Sequence, residues 1–428
     1  MKSSVPKVMH KIAGRSMLGW LIERCEKLNP EKLIIVTAPD MKEVVDEAYD
    51  HIIAFQTEQN GTGDAVKPAL EHLKNFKGRV LILCGDEPFL DLDILQDMIA
   101  YEEGIANMVI TVDDPTGLGR VISNDKGYLT EIVEDKDCND EQRGIKICNA
   151  GNYCVPADQL EHWLEQINND NAQGEYYLTD LPAIAAREGV KTKIFNVDVK
   201  ESWGINNRLQ LAAHEKFAQQ QLRQKAMEQG VTMIDPDTVT LSWDTEFGED
   251  VIIEPNVYIG PWSSIEDNVT IHAFSYIEGA IIEEGAEVGP YARIRAKSVV
   301  GKGACVGNFI EVNRSIINAG VKAKHVSYLG DVTIGENSNI GAGTIIANYD
   351  GYFKHQSTIG SNVFIGSNST IISPVEIGDN AIVAAGSNIN KNVMENAMAI
   401  GRSRQENHAG WAAQYRIMKR EKKLKEED

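Results

Sequence analysis

Side chains able to do chemistry stand at a few places where the sequence changes rhythm. His325 lies in K-H-V-S-Y-L-G-D, within a long series of six-residue repeats. An imidazole exchanges a proton near neutrality, so this residue type suits a general base. The plainer alternative is a corner histidine hydrogen-bonded to a neighbouring coil. Asp86 closes the apolar run R-V-L-I-L-C-G-D. A carboxylate at the C-terminal end of a strand lies where open α/β sheets bind ligands. It also suits the role of a helix N-cap, just as Gly61 in Q-N-G-T-G-D suits a turn. The six cysteines (Cys25, Cys84, Cys138, Cys148, Cys154 and Cys305) are scattered without a C-x-x-C pair. They read as reduced and mostly buried, which excludes a disulfide framework and a cysteine-rich zinc site.

These residues need elements to hold them. Residues 16–28 carry apolar positions at helical spacing, whereas 32–38, 79–89 and 106–114 are short apolar runs closed by turn residues. Such runs read as strands buried on both faces, and strands alternating with helices predict an α/β domain with a mostly parallel sheet. A helical connector spans 208–230. Beyond it, apolar residues recur every six positions from Ile253 to Ile277, from Ile282 to Val312, from Ile334 to Ile346 and from Ile359 to Ile389. No helix has that period, and hexapeptide repeats wind a parallel β-helix, one strand and one corner per repeat. The phase is disturbed between Val312 and Ile334, the segment that holds His325. Between Ile346 and Ile359 the step is thirteen residues, so seven extra residues are extruded as a loop. Insertions add nothing to a solenoid and mark where a site is to be sought.

Length and charge set the outer bounds. A chain of 428 residues makes two or three domains. A net charge of −21 argues against a nucleic-acid groove or an acidic membrane surface as the main partner. The sequence has no 18-residue apolar run and no charged-then-apolar start, so a cytoplasmic protein is expected.

Several motifs together resemble one family, the bifunctional bacterial N-acetylglucosamine-1-phosphate uridyltransferase/glucosamine-1-phosphate N-acetyltransferase. They are P-K-V-M-H (6–10), Q-N-G-T-G-D-A (59–65), L-C-G-D-E-P (83–88), D-D-P-T-G-L-G-R (113–120), N-A-Q-G-E-Y-Y-L-T-D (171–180), G-I-N-N-R (204–208), and downstream K-H-V-S-Y-L-G-D, N-I-G-A-G-T and A-N-Y-D-G. The resemblance implies a Rossmann-like nucleotidyltransferase domain (1–207), a helical linker (208–230), a left-handed β-helix acetyltransferase domain (231–400), a tail (401–428) and a homotrimer. In the first half it implies that Gln56, Gly61 and Thr62 hold uracil. Asp86 and Asn206 would ligate Mg²⁺, Gly119, Glu134, Asn149 and Thr179 would hold the acetamido sugar, and Lys7 would meet the sugar phosphate. In the second half His325 is implied as the base that frees the amine for attack on acetyl-CoA. Arg295 would bind the phosphate of glucosamine-1-phosphate, with Arg314 as a substitute. Glu311, Asn313, Tyr328, Asn339, Asn348 and Lys354 would line the sugar site. Ala342, Ser367, Ala385 and Arg402 would touch the CoA, in a groove shared between subunits.

The chain departs from the family at three places. Asn313 replaces a lysine, and Cys84 replaces an aromatic residue beside Asp86. The strand and glycine-rich loop of the type L-A-A-G-x-G-T-R-M, which cradles the triphosphate of UTP in the family, falls before Met1. The expectation for the chain as given is therefore surviving acetyl transfer and very low uridyltransferase activity. Two alternatives stay open: an acetyltransferase with a degraded first domain, and another sugar-nucleotide pyrophosphorylase with a regulatory β-helix. A zinc site at His272, His325 and His355 is rejected, because His272 lies three coils below His325. The tail reads as a solvated helix end or disorder, with Trp411 able to cover a neighbouring CoA groove.

Overall fold

A computed structural model describes residues 1–199, 202 and 204–426, and the last two tail residues lie outside that description. The chain divides into two compact units, Met1–Gln220 and Gln221–Asp428, with the division inside the helix Arg208–Glu228.

In the first unit the apolar periodicity becomes the helix Met17–Lys27, started by Ser16, whose Oγ accepts from Gly19 N at 2.9 Å. One edge of it, Leu18 and Ile22, packs with Ile35 and Ile53. The other, Leu21 and Cys25, packs with Leu90, Leu95 and Met108. The helix thus serves two sheets. Ile34–Thr37 and Ile52–Phe55 pair in parallel as a sheet of their own. The larger sheet runs Arg79–Ile82, Ile147–Pro156, Gly104–Thr111, Lys191–Val197, Leu129–Val133, Arg120–Ser123. This corrects the expected mostly parallel sheet. Ile147–Pro156 is antiparallel to both strands it separates, and only Gly104–Thr111 and Lys191–Val197 pair in parallel here. A run buried on both faces has the same composition whichever way its partner points, so the apolar pattern carries the strand but not its direction.

The second unit is the β-helix. Most coils give one short strand to each of three parallel faces, while Cys305–Asn313 and Lys322–Gly330 each run across two of them. Along one face the inward side chains Ile253, Ile271, Val288, Val306, Ala323, Ile340, Ile365 and Val383 stack in register, none more than 3% exposed. Burying each aliphatic side chain contributes about 1.5–3 kcal/mol, and the stacked coils share that core with their nearest neighbours.

The disturbed phase between Val312 and Ile334 is not an insertion, and that expectation is corrected. The coils continue through Ile317, Ala323 and Leu329, all fully buried. Alanine and leucine take two inward positions and five-residue steps take two corners, so a count of Ile and Val loses the phase while the backbone keeps it. The thirteen-residue step is a real extrusion. The chain leaves the stack after the strand Ile345–Ala347, Tyr349 and Lys354 face each other across an antiparallel bridge, and Ser357–Ile359 rejoins the stack.

After the last coil, the helix Trp411–Glu426 buries none of its residues, and Trp411 stacks on Tyr415 at 5.1 Å.

Candidate functional site

In the first unit the motifs dock on one another. The backbone of Tyr176 bonds to both Asn60 and Gly63, and Thr62 Oγ1 accepts from Leu178 N at 3.0 Å. Gly61 has φ +119°, and a Cβ there would lie 2.5 Å from the Tyr176 carbonyl oxygen, so only glycine fits. Gln56 is beside this loop in a cleft shared with Phe55, Asp64 and Lys67. The four residues expected around the acetamido sugar do converge. Thr179 Oγ1 donates to Glu134 Oε1 at 3.1 Å, the Asn149 backbone N–H donates to the Gly119 carbonyl at 2.8 Å, and Gly119 lies against the Glu134 carboxyl. Burial, opposed by the Thr179 bond, raises the Glu134 carboxyl above its ordinary range.

Asp86 does not end the strand as expected: Arg79–Ile82 stops four residues earlier, and Asp86 sits in the turn that follows. Its carbonyl accepts from Ile205 N at 3.1 Å, which brings Asn206 alongside. One small cation reaches both side chains. The Lys7 ammonium lies 2.5 Å from Asn206 Oδ1 and is ion-paired with Asp86 Oδ2. Two hard oxygen donors that close a cation between them fit Mg²⁺. The ligand atoms of Cys84, Asp86 and Glu87 also lie within 4.8 Å of one another. Burial pushes both the Cys84 thiol and the Glu87 carboxyl well above their ordinary values, and Asn152 Nδ2 holds Glu87 Oε2 at 2.6 Å. Sequence reasoning missed Glu87 and Asn152. The only signal for Glu87 was its place next to Asp86.

In the second unit a cluster forms at the end of one face. Glu311 and Tyr328 are register neighbours, and Arg295 Nη1 donates to Glu311 Oε1 at 2.9 Å. Asp331 anchors the rest. Arg314 grips it with Nε and Nη2, both at 2.7 Å, and Asn348 Nδ2 donates to it at 2.5 Å. The Arg314 bonds, opposed by burial and aided by Asn348 and the charge of Lys354, hold the Asp331 carboxyl below the usual range. Asn313 is buried, and its Oδ1 accepts from Arg314 Nη1 at 3.1 Å. Arg314 is therefore held by Asp331 and Asn313, as Arg295 is by Glu311. Asn339 stands on the adjacent face, level with Lys322.

His325 is exposed, one coil above Asn308, and its Nδ1 lies 3.0 Å from Asn308 Oδ1. With the amide oxygen accepting, Nδ1 carries the hydrogen and Nε2 keeps the lone pair. Asn308 was not foreseen, although it lies one coil before the histidine in sequence. The other histidines pair elsewhere: His272 with Glu254 at 3.0 Å and His355 with Asp350 at 2.7 Å.

The register adds an alignment that the separate motifs do not reveal. Two residues past the stacked positions Val306, Ala323, Ile340, Ile365 and Val383 come Asn308, His325, Ala342, Ser367 and Ala385. They form one vertical file at a corner, and Gly386, next in the chain, lies against Arg402. The neighbouring file changes character at His325. Below and beside it stand Phe274, Tyr291, Phe309 and Val326, all with positive φ, the rings stacked at 4.9 and 5.1 Å. Above it stand Gly343, Asn368 and Gly386. The corner is therefore walled with bulky side chains up to His325 and small-sided beyond it.

Comparison with known proteins assigns both units. The MobA-like NTP transferase domain matches residues 1–143, and the bacterial transferase hexapeptide (six repeats) matches 244–279 and 356–391. The "Bifunctional protein GlmU" of Zymomonas mobilis is 41% identical over 433 residues, covering 99% of this chain and 96% of its own. The proteins of that name from Paramagnetospirillum magneticum and Sphingopyxis alaskensis are 40% and 43% identical, each covering 100% of this chain and 96% of its own. A solved CMP:2-keto-3-deoxy-manno-octonic acid synthetase covers 51% of this chain and 95% of its own at 16% identity and a TM-score of 0.40, too slight a likeness to build on.

Proposed function

The chain belongs to the family of the bifunctional protein GlmU, and from that premise we propose how its own residues divide two reactions. The β-helix moves acetyl from acetyl-CoA to glucosamine-1-phosphate. The α/β unit moves uridylyl from UTP to the N-acetylglucosamine-1-phosphate so formed. The first product is the second acceptor, which is a chemical reason for one chain to carry both.

In the acetyl transfer, Arg295 receives the sugar phosphate, and Glu311, Tyr328, Asn348 and Lys354 orient the ring from the cluster around Asp331. His325 Nε2 takes the proton from the sugar ammonium, and the freed amine attacks the thioester carbonyl; the C–S bond then breaks, the second amine proton goes to the departing CoA thiolate, and the imidazolium returns its proton to water. Asn308 keeps the imidazole in the tautomer that can take the ammonium proton. The observation that carries this reading is the corner file: a long, thin acyl donor can lie over Ala342, Ser367 and Ala385 toward Arg402, while the aromatic wall stops it at the base. Ala342→Leu tests it. The KM for acetyl-CoA is expected to rise about tenfold or more, the worth of a blocked contact near 1.4 kcal/mol. The KM for glucosamine-1-phosphate is expected to stay within about twofold. An equal rise in both contradicts the path.

In the uridylyl transfer, Gln56, Gly61 and Thr62 receive the uracil, and Gly119, Glu134, Asn149 and Thr179 receive the acetamido sugar. Asp86 and Asn206 would hold Mg²⁺, which when bound would offset charge on the phosphates. Burial raises the Glu134 carboxyl, which suits it to face a neutral sugar hydroxyl. The working unit is a homotrimer, because the corner file is open on one side and an acyl donor there needs a second wall. Among the described residues no helix is long and apolar enough to cross a membrane. Work in the cytoplasm follows from the substrates, since acetyl-CoA and UTP are supplied there.

A further inference from the structure

The Lys7 ammonium sits between Asp86 and Asn206, where a cation bridging these two oxygens has to sit. Nζ is 2.5 Å from Asn206 Oδ1 and ion-paired with Asp86 Oδ2, and the Asp86 side chain is only 17% exposed. Mg²⁺ holds oxygen ligands at about 2.0–2.1 Å with near-octahedral demands. An ammonium and a divalent ion cannot share those two oxygens at such distances. The lysine has somewhere to go, since its side chain is 39% exposed and starts the short turn Lys7–Met9 just after Pro6.

We propose that Lys7 is the resident cation of the metal-free site, and that the divalent ion displaces it rather than joining it. The inference rests on assigning Asp86 and Asn206 to the metal. Two consequences follow from mass action. Lys7 weakens metal binding in the absence of substrate, because the ion must break the lysine's bonds to enter. Metal and phosphate reinforce one another, because the displaced ammonium is free to pair with a phosphate oxygen, and a phosphate that draws Lys7 away clears the site for the ion.

Mn²⁺ serves as the probe, titrated into the full chain without nucleotide and followed by the loss of its free-ion paramagnetic resonance signal. Lys7→Met is expected to bind Mn²⁺ about tenfold or more tighter than the wild type, the scale of losing a hydrogen bond to a charged group. In the wild type, saturating Mn²⁺ is expected to increase acylation of Lys7 by an amine-directed reagent, read by mass spectrometry, with the other lysines unchanged. This second measurement uses no variant. Equal or weaker Mn²⁺ binding in Lys7→Met, or unchanged Lys7 labelling, overturns the exchange while Asp86→Asn still abolishes binding. Wild-type Mn²⁺ binding by Asp86→Asn overturns the metal assignment itself, and the exchange with it.

Discussion

At the scale of single residues, two candidate side chains in the β-helix are held by a partner one coil away. His325 depends on Asn308 for its tautomer, and Arg295 on Glu311 for its direction. His325→Ala is expected to lower acetyl-transfer kcat by about 10²–10⁴ with unfolding unchanged. Asn308→Ala is expected to cost less, and in kcat rather than KM. A wild-type turnover number for His325→Ala contradicts the base assignment. The Asp331 anchor adds a pH signature. Arg314 holds that carboxyl below the usual range, so the pair's contribution to stability is complete above an ordinary aspartate pKa of about 3.9. It is lost as the pH falls through the lower folded value. Arg314→Ala is therefore expected to destabilise the β-helix by about 1–3 kcal/mol at pH 7. That deficit should shrink as unfolding is repeated toward pH 2.5, and a deficit independent of pH contradicts it. His325 was legible in the sequence because its block is distinctive. Asn308 and Asp331 were not, since a partner across coils is visible only once the coil length at that level is known.

At the scale of elements, periodicity revealed the architecture but not its finer geometry. A six-residue apolar repeat has one structural solution, so the β-helix and its extruded loop could be read directly. The apparent break around His325 could not. Ala323 and Leu329 fill inward positions as well as isoleucine does, but the eye that counts β-branched residues passes over them. In the first unit the strands were visible and their directions were not, because both faces of Ile147–Pro156 are largely buried whatever its polarity. Loop docking was not legible: the Gln56–Asp64 segment is anchored by backbone bonds to Tyr176, a contact between motifs more than a hundred residues apart. Gly61 is the point of closest approach. Gly61→Ala is expected to destabilise the first unit by about 1–3 kcal/mol, from a positive φ and a 2.5 Å clash with backbone. The thermal transition of that unit should fall while the β-helix transition stays in place. A Gly61→Ala protein with both transitions unmoved contradicts the docking.

At the scale of the whole molecule, the question is how many chains make one acetyl-transfer site. The file over Ala342, Ser367 and Ala385 lies at one corner of the coils, and its side chains are small. On the proposed path a long donor would be desolvated on one side only, and a neighbouring copy would close it. The half-exposed stack of Phe274, Tyr291 and Phe309 lies on the same corner and is the apolar surface such a copy would cover. Each of those rings also holds a left-handed backbone that bulky residues adopt at a cost of about 1–2 kcal/mol. An interface that buries the rings offsets that cost. Arg402 lies beyond the last regular coil, beside Gly386 at the top of the file, and is exposed. Chains carrying His325→Ala and chains carrying Arg402→Ala are each expected to be poorly active alone. Unfolded together and refolded, they should regain acetyl transfer, since some sites in a mixed trimer combine an intact His325 from one chain with an intact Arg402 from the next. With random assembly of three chains, the recovered activity should rise and fall with the mixing ratio and be largest near equal amounts. A mixture no more active than the sum of its parents, from a preparation that sediments as trimer, would place the base and the arginine in the same chain.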